Sequence, residues 1–276
     1  MNNLKSVDTH FAFGENWSQY AALIDDTKIQ EAEKGLLRLV SKEELAGKSF
    51  LDIGCGSGLH ALAALRLGAV KVLATDIDPN SVATTKAVLD KYAPTGSQYE
   101  VQEVSVFDLP EATKEQYDIV YSWGVLHHTG AMYEAITAAT KLVAPSGMFA
   151  VALYRTTPMC GVWTRIKRWY AHTSKTSQRR ARAVYLFLKK IRFRLSGRDF
   201  QAYKDNYFSS RGMSFEHDVH DWLGGYPYES ITPIQAKEYM RTLGYTEVRK
   251  FVHDSGIGFF GTGCDEFVFK KVETNS

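Results

Sequence analysis

A chain of 276 residues, 45% of them hydrophobic, is long enough to bury a sizeable core, and no apolar run approaches the roughly 20 residues that cross a bilayer. The opening Met1-Asn2-Asn3-Leu4-Lys5-Ser6 lacks the apolar centre of a signal peptide, and Cys55, Cys160 and Cys264 show no CxxC spacing. The expectation is a soluble, cytoplasmic globular protein with reduced thiols, without a disulfide framework or a metal site. Net charge is only +2, but Arg155 to Lys204 carries about fourteen Lys and Arg against the single Asp199, roughly +13 set against roughly −11 elsewhere.

In chain order, Asn16 to Val40 reads as a helix lying across a sheet edge or its ligand. From Gly47 to Ala152, short β-rich runs alternate with helical ones. Strands are expected at Ser49 to Ile53, Val70 to Thr75, Tyr99 to Val104, Tyr117 to Ser122 and Met148 to Ala152, with helices at Leu59 to Leu67, Ser81 to Tyr92 and Met132 to Val143. This is the pattern of an α/β fold, a doubly wound, mostly parallel, Rossmann-like sheet. Val184, Leu188, Ile191 and Leu195 then fall on one helical face amid Lys and Arg, which predicts an amphipathic helical insert. Pro233 to Leu243 reads as a helix, and Thr246 to His253 and Glu266 to Val272 as an antiparallel hairpin linked through Gly256, Gly258, Gly261 and Gly263. Four segments result: a helical cap (1–46), a nucleotide-type core (47–152), a basic helical insert and acceptor cap (153–230), and a C-terminal helix and hairpin completing the sheet (231–276).

The turn "LDIGCGSG" carries Gly54, Gly56 and Gly58 around Cys55, so its backbone amides can approach a ligand at the start of the next helix. A dinucleotide fingerprint, GxGxxG, would need glycine where this chain has Leu59. Asp52, just before the turn, would repel a pyrophosphate but suits a ligand with ammonium and sulfonium groups, and S-adenosyl-L-methionine has both. Asp76, 22 residues after Gly54 and followed by Ile77, is placed to accept from both ribose hydroxyls of either ligand class. Asp108 in "SVFDLP" could accept from an adenine amino group while Val106 and Phe107 line the ring's slot. Each of these acids could instead cap a loop.

These four stretches, "LDIGCGSG", "ATDIDP", "SVFDLP" and "YDIVYSWGVLHH", resemble in order and spacing the motifs of the class I S-adenosylmethionine-dependent methyltransferases, over roughly residues 47 to 152. The resemblance implies a cofactor site that also includes Ser122, Trp123 and Gly124. "FAFGENW", "SWGVLHHTG", "RGMSFEHDVHDWLGGYPYE" and "GTGCDEFVF" further resemble a bacterial subgroup described as ubiquinone-methylase-like methyltransferases, often associated with cell-surface glycan pathways. In that layout Phe13 and Trp17, beside Phe11 and Asn16, would close over the cofactor. Ordinary packing on the sheet is the alternative.

Strands one and four border one crevice in such a sheet, so the glycine turn faces Trp123 to His128. Methyl transfer to a hydroxyl needs its proton removed, which makes His127 or His128 the first candidate base. A second cluster, His217, Asp218, His220, Asp221, Trp222 and Tyr226, forms either an acceptor wall with His217 or His220 as base, or a capped helix with a packed aromatic face. The reading is a methyltransferase acting on a hydroxyl of a small-molecule or glycan-related acceptor that is lipid- or phosphate-linked in one version. An RNA- or protein-modifying methyltransferase, a NAD-dependent oxidoreductase and a non-catalytic nucleotide-binding module are the alternatives. The basic stretch 155–204 has three readings: a solvated cap over the acceptor, a contact with an anionic membrane surface or phosphate group, and, ranked last, nucleic acid.

Overall fold

The computed structural model describes residues 24–211, 215–253 and 256–272. Helix α1 (Asp26–Leu39) starts where the Asp25 carboxylate accepts the Lys28 N–H at 3.0 Å, and α2 (Lys42–Leu45) begins in a capping box between Ser41 and Glu44. The alternating unit follows as β1 (Ser49–Ile53), α3 (Leu59–Arg66), β2 (Lys71–Asp76), α4 (Pro79–Tyr92), β3 (Tyr99–Glu103), α5 (Leu109–Thr113), β4 (Tyr117–Trp123), α6 (Met132–Lys141) and β5 (Val143–Tyr154). Four helices form the insert, α7 (Cys160–His172), α8 (Lys175–Leu195), α9 (Phe200–Arg211) and α10 (Phe215–Gly224); α11 (Pro233–Thr242), β6 (Tyr245–Phe251) and β7 (Cys264–Lys271) complete the chain.

The seven strands run in the order β3-β2-β1-β4-β5-β7-β6, with only β7 reversed against its neighbours. Period-two alternation assigns each face: Phe50 enters one core with Ile29, Leu36, Leu62 and Val88, while Leu51 and Ile53 enter the other with Ile136, Met240 and Phe267. Each such side chain, fully buried, contributes about 1.5–3 kcal/mol. The strand order reverses between β1 and its neighbours β2 and β4, which opens a crevice at their carboxyl ends.

One expectation changes. The N-terminal helix packs on a sheet face beside α3 rather than across an edge, because Ile29, Leu36 and Leu39 are its buried stripe and Arg38 reaches across to Glu266 of β7. In the insert, Val184, Leu188, Ile191 and Leu195 do share a face, but all four are exposed. Tyr185 holds α8 to the body in a third core with Trp163, Tyr170, Phe215 and Leu223, and the buried Phe193 packs on Phe200 and Tyr203 of α9. The partners decide which face is inside: Tyr185 meets Trp163 and Phe260, whereas Phe187 stays exposed on the outer face. The long β6–β7 link is not a tight turn: its Gly258 and Phe260 carbonyls accept from Trp163 Nε1 and Tyr185 Oη, both at 2.8 Å, pinning the link to the insert.

Candidate active site

The glycine turn is wired from three sides. The Gly54 and Cys55 amides both donate to the Thr75 carbonyl, at 2.7 and 3.0 Å, and the Gly56 amide donates to Asp76 Oδ2 at 3.0 Å. Thr85 Oγ1, reaching from α4, donates to the Gly56 carbonyl at 3.1 Å and contacts Cys55 Sγ at 3.2 Å. Gly54 has φ +78°, and a β-carbon there would lie 2.4 Å from Val125 Cγ2, so the turn needs glycine to sit against the β4 loop. Gly58, also at φ +78°, opens α3 and faces the Thr85 backbone, which a β-carbon would meet at 3.0 Å.

Two carboxylates flank this turn. Asp52 is 2% exposed and its Oδ2 is buried with no hydrogen-bond partner among the described residues. Burial, and then the nearby Asp76 charge, push its carboxyl up to about 7. Asp76 is half-buried; its Oδ1 accepts from the Asp78 amide at 2.9 Å, and burial raises it to about 6. An orphaned buried carboxylate oxygen beside a second acid is a cation-seeking arrangement. These residues fit a ligand that bears an ammonium group and a ribose.

Asp108 begins α5 with its side chain exposed and making no capping hydrogen bond, so loop capping does not account for it. Val106 is buried in the second core rather than open to a ring slot, while Phe107 and Ile77 are half-buried. Ser122 is fully buried, its hydroxyl donating to the Ile53 carbonyl at 3.0 Å; it ties β4 to β1 instead of facing the crevice. Trp123 stands at the rim, 40% exposed, with its indole N–H held by Glu266 Oε1 at 2.8 Å. Gly124 follows at φ +78° in open space. Cys55 is buried, and burial pushes its thiol well above the ordinary value. Phe13 and Trp17, with Phe11 and Asn16, lie outside the described residues.

The adjacent histidines are opposites. The Tyr154 N–H donates to His127 Nδ1 at 3.2 Å, so the proton of the neutral ring is on Nε2, which is buried and makes no close hydrogen bond among the described residues. His127 is 0% exposed, and burial holds it far below the usual imidazole range. As a base His127 is therefore corrected: its one unprotonated nitrogen is already engaged. His128 Nδ1 lies 2.7 Å from the Pro227 carbonyl, which can only accept, so Nδ1 carries the proton and Nε2 the lone pair. The 227–229 strap is stitched to the same loop, with Glu229 donating its N–H to the His127 carbonyl and accepting the Met132 N–H, both at 2.9 Å.

The second histidine cluster separates from the first. On α10, His220 Nδ1 takes part in a network with Tyr170 Oη at 2.7 Å and Arg182 at 3.0 Å, and Asp218 accepts from Tyr207 Oη. His217 lies on the same helix, its side chain outside the described groups. Trp222 does approach the crevice: with Tyr154 and Tyr228 it surrounds the fully buried Lys167 Nζ at 3.7, 5.6 and 5.1 Å to the respective ring centres. Burial holds that amine well below its ordinary value, and it donates to the Trp222 carbonyl.

His60 was not among the residues read from the sequence. It occupies the second position of α3, with its ring 5.0 Å from Tyr121 and 6.2 Å from Trp123, and burial lowers it to about 4. Its signal was available as the one polar side chain in the first turn of the apolar helix "LHALAAL". Thr85 and Tyr154 carried no such signal, because their roles depend on contacts made 29 and 27 residues away in the chain.

Residues 51–149 match the family model described as a methyltransferase domain, and the fold is the Rossmann-like methyltransferase fold. Among curated proteins the chain is similar to the ribosomal protein L11 methyltransferase of Photobacterium profundum, 34% identical over 118 residues, which is 42% of this chain and 37% of that protein. The chain thus spans little more than a third of the length of the curated relatives it matches. Among solved structures it is similar to magnesium protoporphyrin IX methyltransferase from Synechocystis PCC 6803 with bound SAH, with TM-score 0.53, 16% identity, and coverage of 89% of this chain and 83% of that one. It is also similar to an O-methyltransferase family protein from Burkholderia thailandensis, with TM-score 0.54, 12% identity, and coverage of 90% and 58%.

Proposed function

We propose that this protein is an S-adenosylmethionine-dependent methyltransferase acting on a hydroxyl of a small-molecule or glycan-related acceptor. The carrying observation is the wiring of the glycine turn to Asp76, with the orphaned Asp52 oxygen beside it. On this reading Asp52 receives an ammonium group, Asp76 the ribose hydroxyls and Asp108 the adenine amino group, and the cofactor supplies a methyl group activated on a sulfonium. Trp123 and Phe107 shield the crevice from water. Departure of a thioether needs no proton, so the chain's remaining work is to position the acceptor and remove its proton. His128 is assigned that proton, at Nε2, because its tautomer is fixed by the Pro227 carbonyl.

The aromatic surroundings of Tyr154, Trp222 and Tyr228 favour a compact or ring-bearing acceptor. The matches to relatives that act on ribosomal protein L11 cover less than half of this chain, so protein modification is the second reading. The motifs quoted from both ends of the sequence support placement in the ubiquinone-methylase-like subgroup. The test is a mass-spectrometric comparison of metabolites and surface glycans from cells with and without the gene, followed by transfer of labelled methyl to the purified candidate. A single-methyl difference confined to ribosomal protein would replace this acceptor class with the second reading.

A further inference from the structure

Helix α8 (Lys175–Leu195) has two apolar faces, and the body of the protein uses one. Tyr185 and Phe193 are buried against the insert, whereas Val184, Phe187, Leu188, Ile191 and Leu195 are 58%, 62%, 46%, 40% and 83% exposed. At about 100° per residue these five fall within an arc of roughly 100° whose centre lies nearly opposite Phe193. The helix carries eight Lys and Arg and no Asp or Glu. By the same rotation Arg180 lies within the apolar arc, Lys190 and Arg194 follow one border, and Arg192 follows the other.

We infer that this outer face of α8 docks on an anionic lipid bilayer, with its apolar row at the level of the acyl boundary and its cations among the headgroups. A contiguous exposed apolar row marks an interaction surface, and the charge around it selects the partner. A second copy of the chain meeting it face to face would bring eight more cations and no acid from the same helix. A nucleic acid would satisfy the cations but leave four aliphatic side chains against phosphate and water, with Phe187 alone able to stack on a base. An anionic bilayer satisfies both features together. No described helix is long and apolar enough to cross a membrane, so the contact is peripheral. The same helix is tied to the crevice side of the insert, since Arg182 bonds His220 on α10, and the next residue after α10, Gly225, abuts the His128 ring. The inference concerns a surface and stands independently of the acceptor assigned above.

Co-sedimentation of the full-length protein with phosphatidylcholine vesicles, with and without phosphatidylglycerol, tests it. Binding is expected only to the vesicles that contain phosphatidylglycerol, and is expected to fall as salt rises. Leu188→Asp/Ile191→Asp, at two exposed positions, is expected to keep the thermal midpoint and lower vesicle affinity roughly tenfold or more. Lys190→Glu/Arg194→Glu is expected to do the same without touching the apolar row, by roughly tenfold or more for two reversed charges. Wild-type protein that stays in the supernatant with both vesicle types overturns the inference, as does binding that both variants leave unchanged. Sedimentation velocity that shows a wild-type dimer broken by Leu188→Asp/Ile191→Asp, with no vesicle binding, overturns it in favour of a second copy.

Discussion

The Gly56 amide donates to Asp76 Oδ2 at 3.0 Å, so the acid that ends β2 also sets the path of the glycine turn after β1. One carboxylate thus shapes the loop and, on the proposed reading, also receives the ligand's ribose. The other oxygen, Oδ1, is bound to the Asp78 amide.

Replacing Asp76 by Ala removes both bonds and the charge. S-adenosylmethionine affinity is expected to fall by about 1–3 kcal/mol, with the sheet intact. Calorimetric titration of the folded variant checks this; unchanged affinity would remove Asp76 from the ligand site.

Asp52→Asn is expected to move stability and binding in opposite directions. The folded carboxyl titrates near 7 against an ordinary 3.8, so the folded state holds its proton more tightly than the unfolded one. Its stabilising contribution is complete below about pH 3.8 and is lost as pH rises through about 7. The variant should therefore gain stability relative to wild type as pH rises across that window, read as a growing difference in thermal midpoint. Wild-type affinity for the sulfonium cofactor should rise over the same window as Asp52 ionises, and the variant should bind about tenfold or more weakly with a smaller rise, the part that Asp76 supplies as it ionises near 6. Parallel pH profiles for the two proteins would contradict the assignment.

Gly54→Ala combines a left-handed backbone with a clash on Val125. The backbone part alone costs about 1–2 kcal/mol. Val125→Ala added to Gly54→Ala removes the two closest contacts but leaves the Val125 β-carbon at 2.9 Å, so it should recover most of the steric part, and a double-mutant cycle in denaturant is expected to show coupling of about 1 kcal/mol or more. A strictly additive pair would mean that the two loops do not touch as described.

Much of this architecture was legible in the chain. The parallel alternation and the reversed last strand are local patterns of period two and 3.6, and β1 spans Ser49–Ile53 as read. What could not be read was which of two apolar faces of α8 turns inward, because that depends on partners such as Phe260 and Trp163 from distant segments. Ser122 and Val106 were expected at the ligand and lie in the interior, since a motif fixes sequence position and not side-chain direction. The pair His127-His128 could not be divided from the sequence. Their tautomers are set by the Tyr154 amide and the Pro227 carbonyl, which are 27 and 99 residues away.

That division predicts unequal variants. His128→Gln should lower turnover roughly 100-fold or more with cofactor binding nearly unchanged, because proton removal contributes about 10²- to 10⁴-fold. His127→Gln should mainly lower the thermal midpoint, since the ring is packed 3.9 Å from Tyr154 and fully buried. Single-turnover rates at saturating cofactor separate the two; a larger rate loss at His127 would reverse the assignment.

Calorimetry of the full chain with S-adenosylmethionine, S-adenosylhomocysteine and NAD asks whether the Asp52 and Asp76 crevice holds a sulfonium cofactor. One-to-one binding of both sulfur ligands, weakened by Asp76→Ala, is expected, with no saturable heat from NAD. Saturable binding of NAD, with no response to either sulfur ligand, would contradict it.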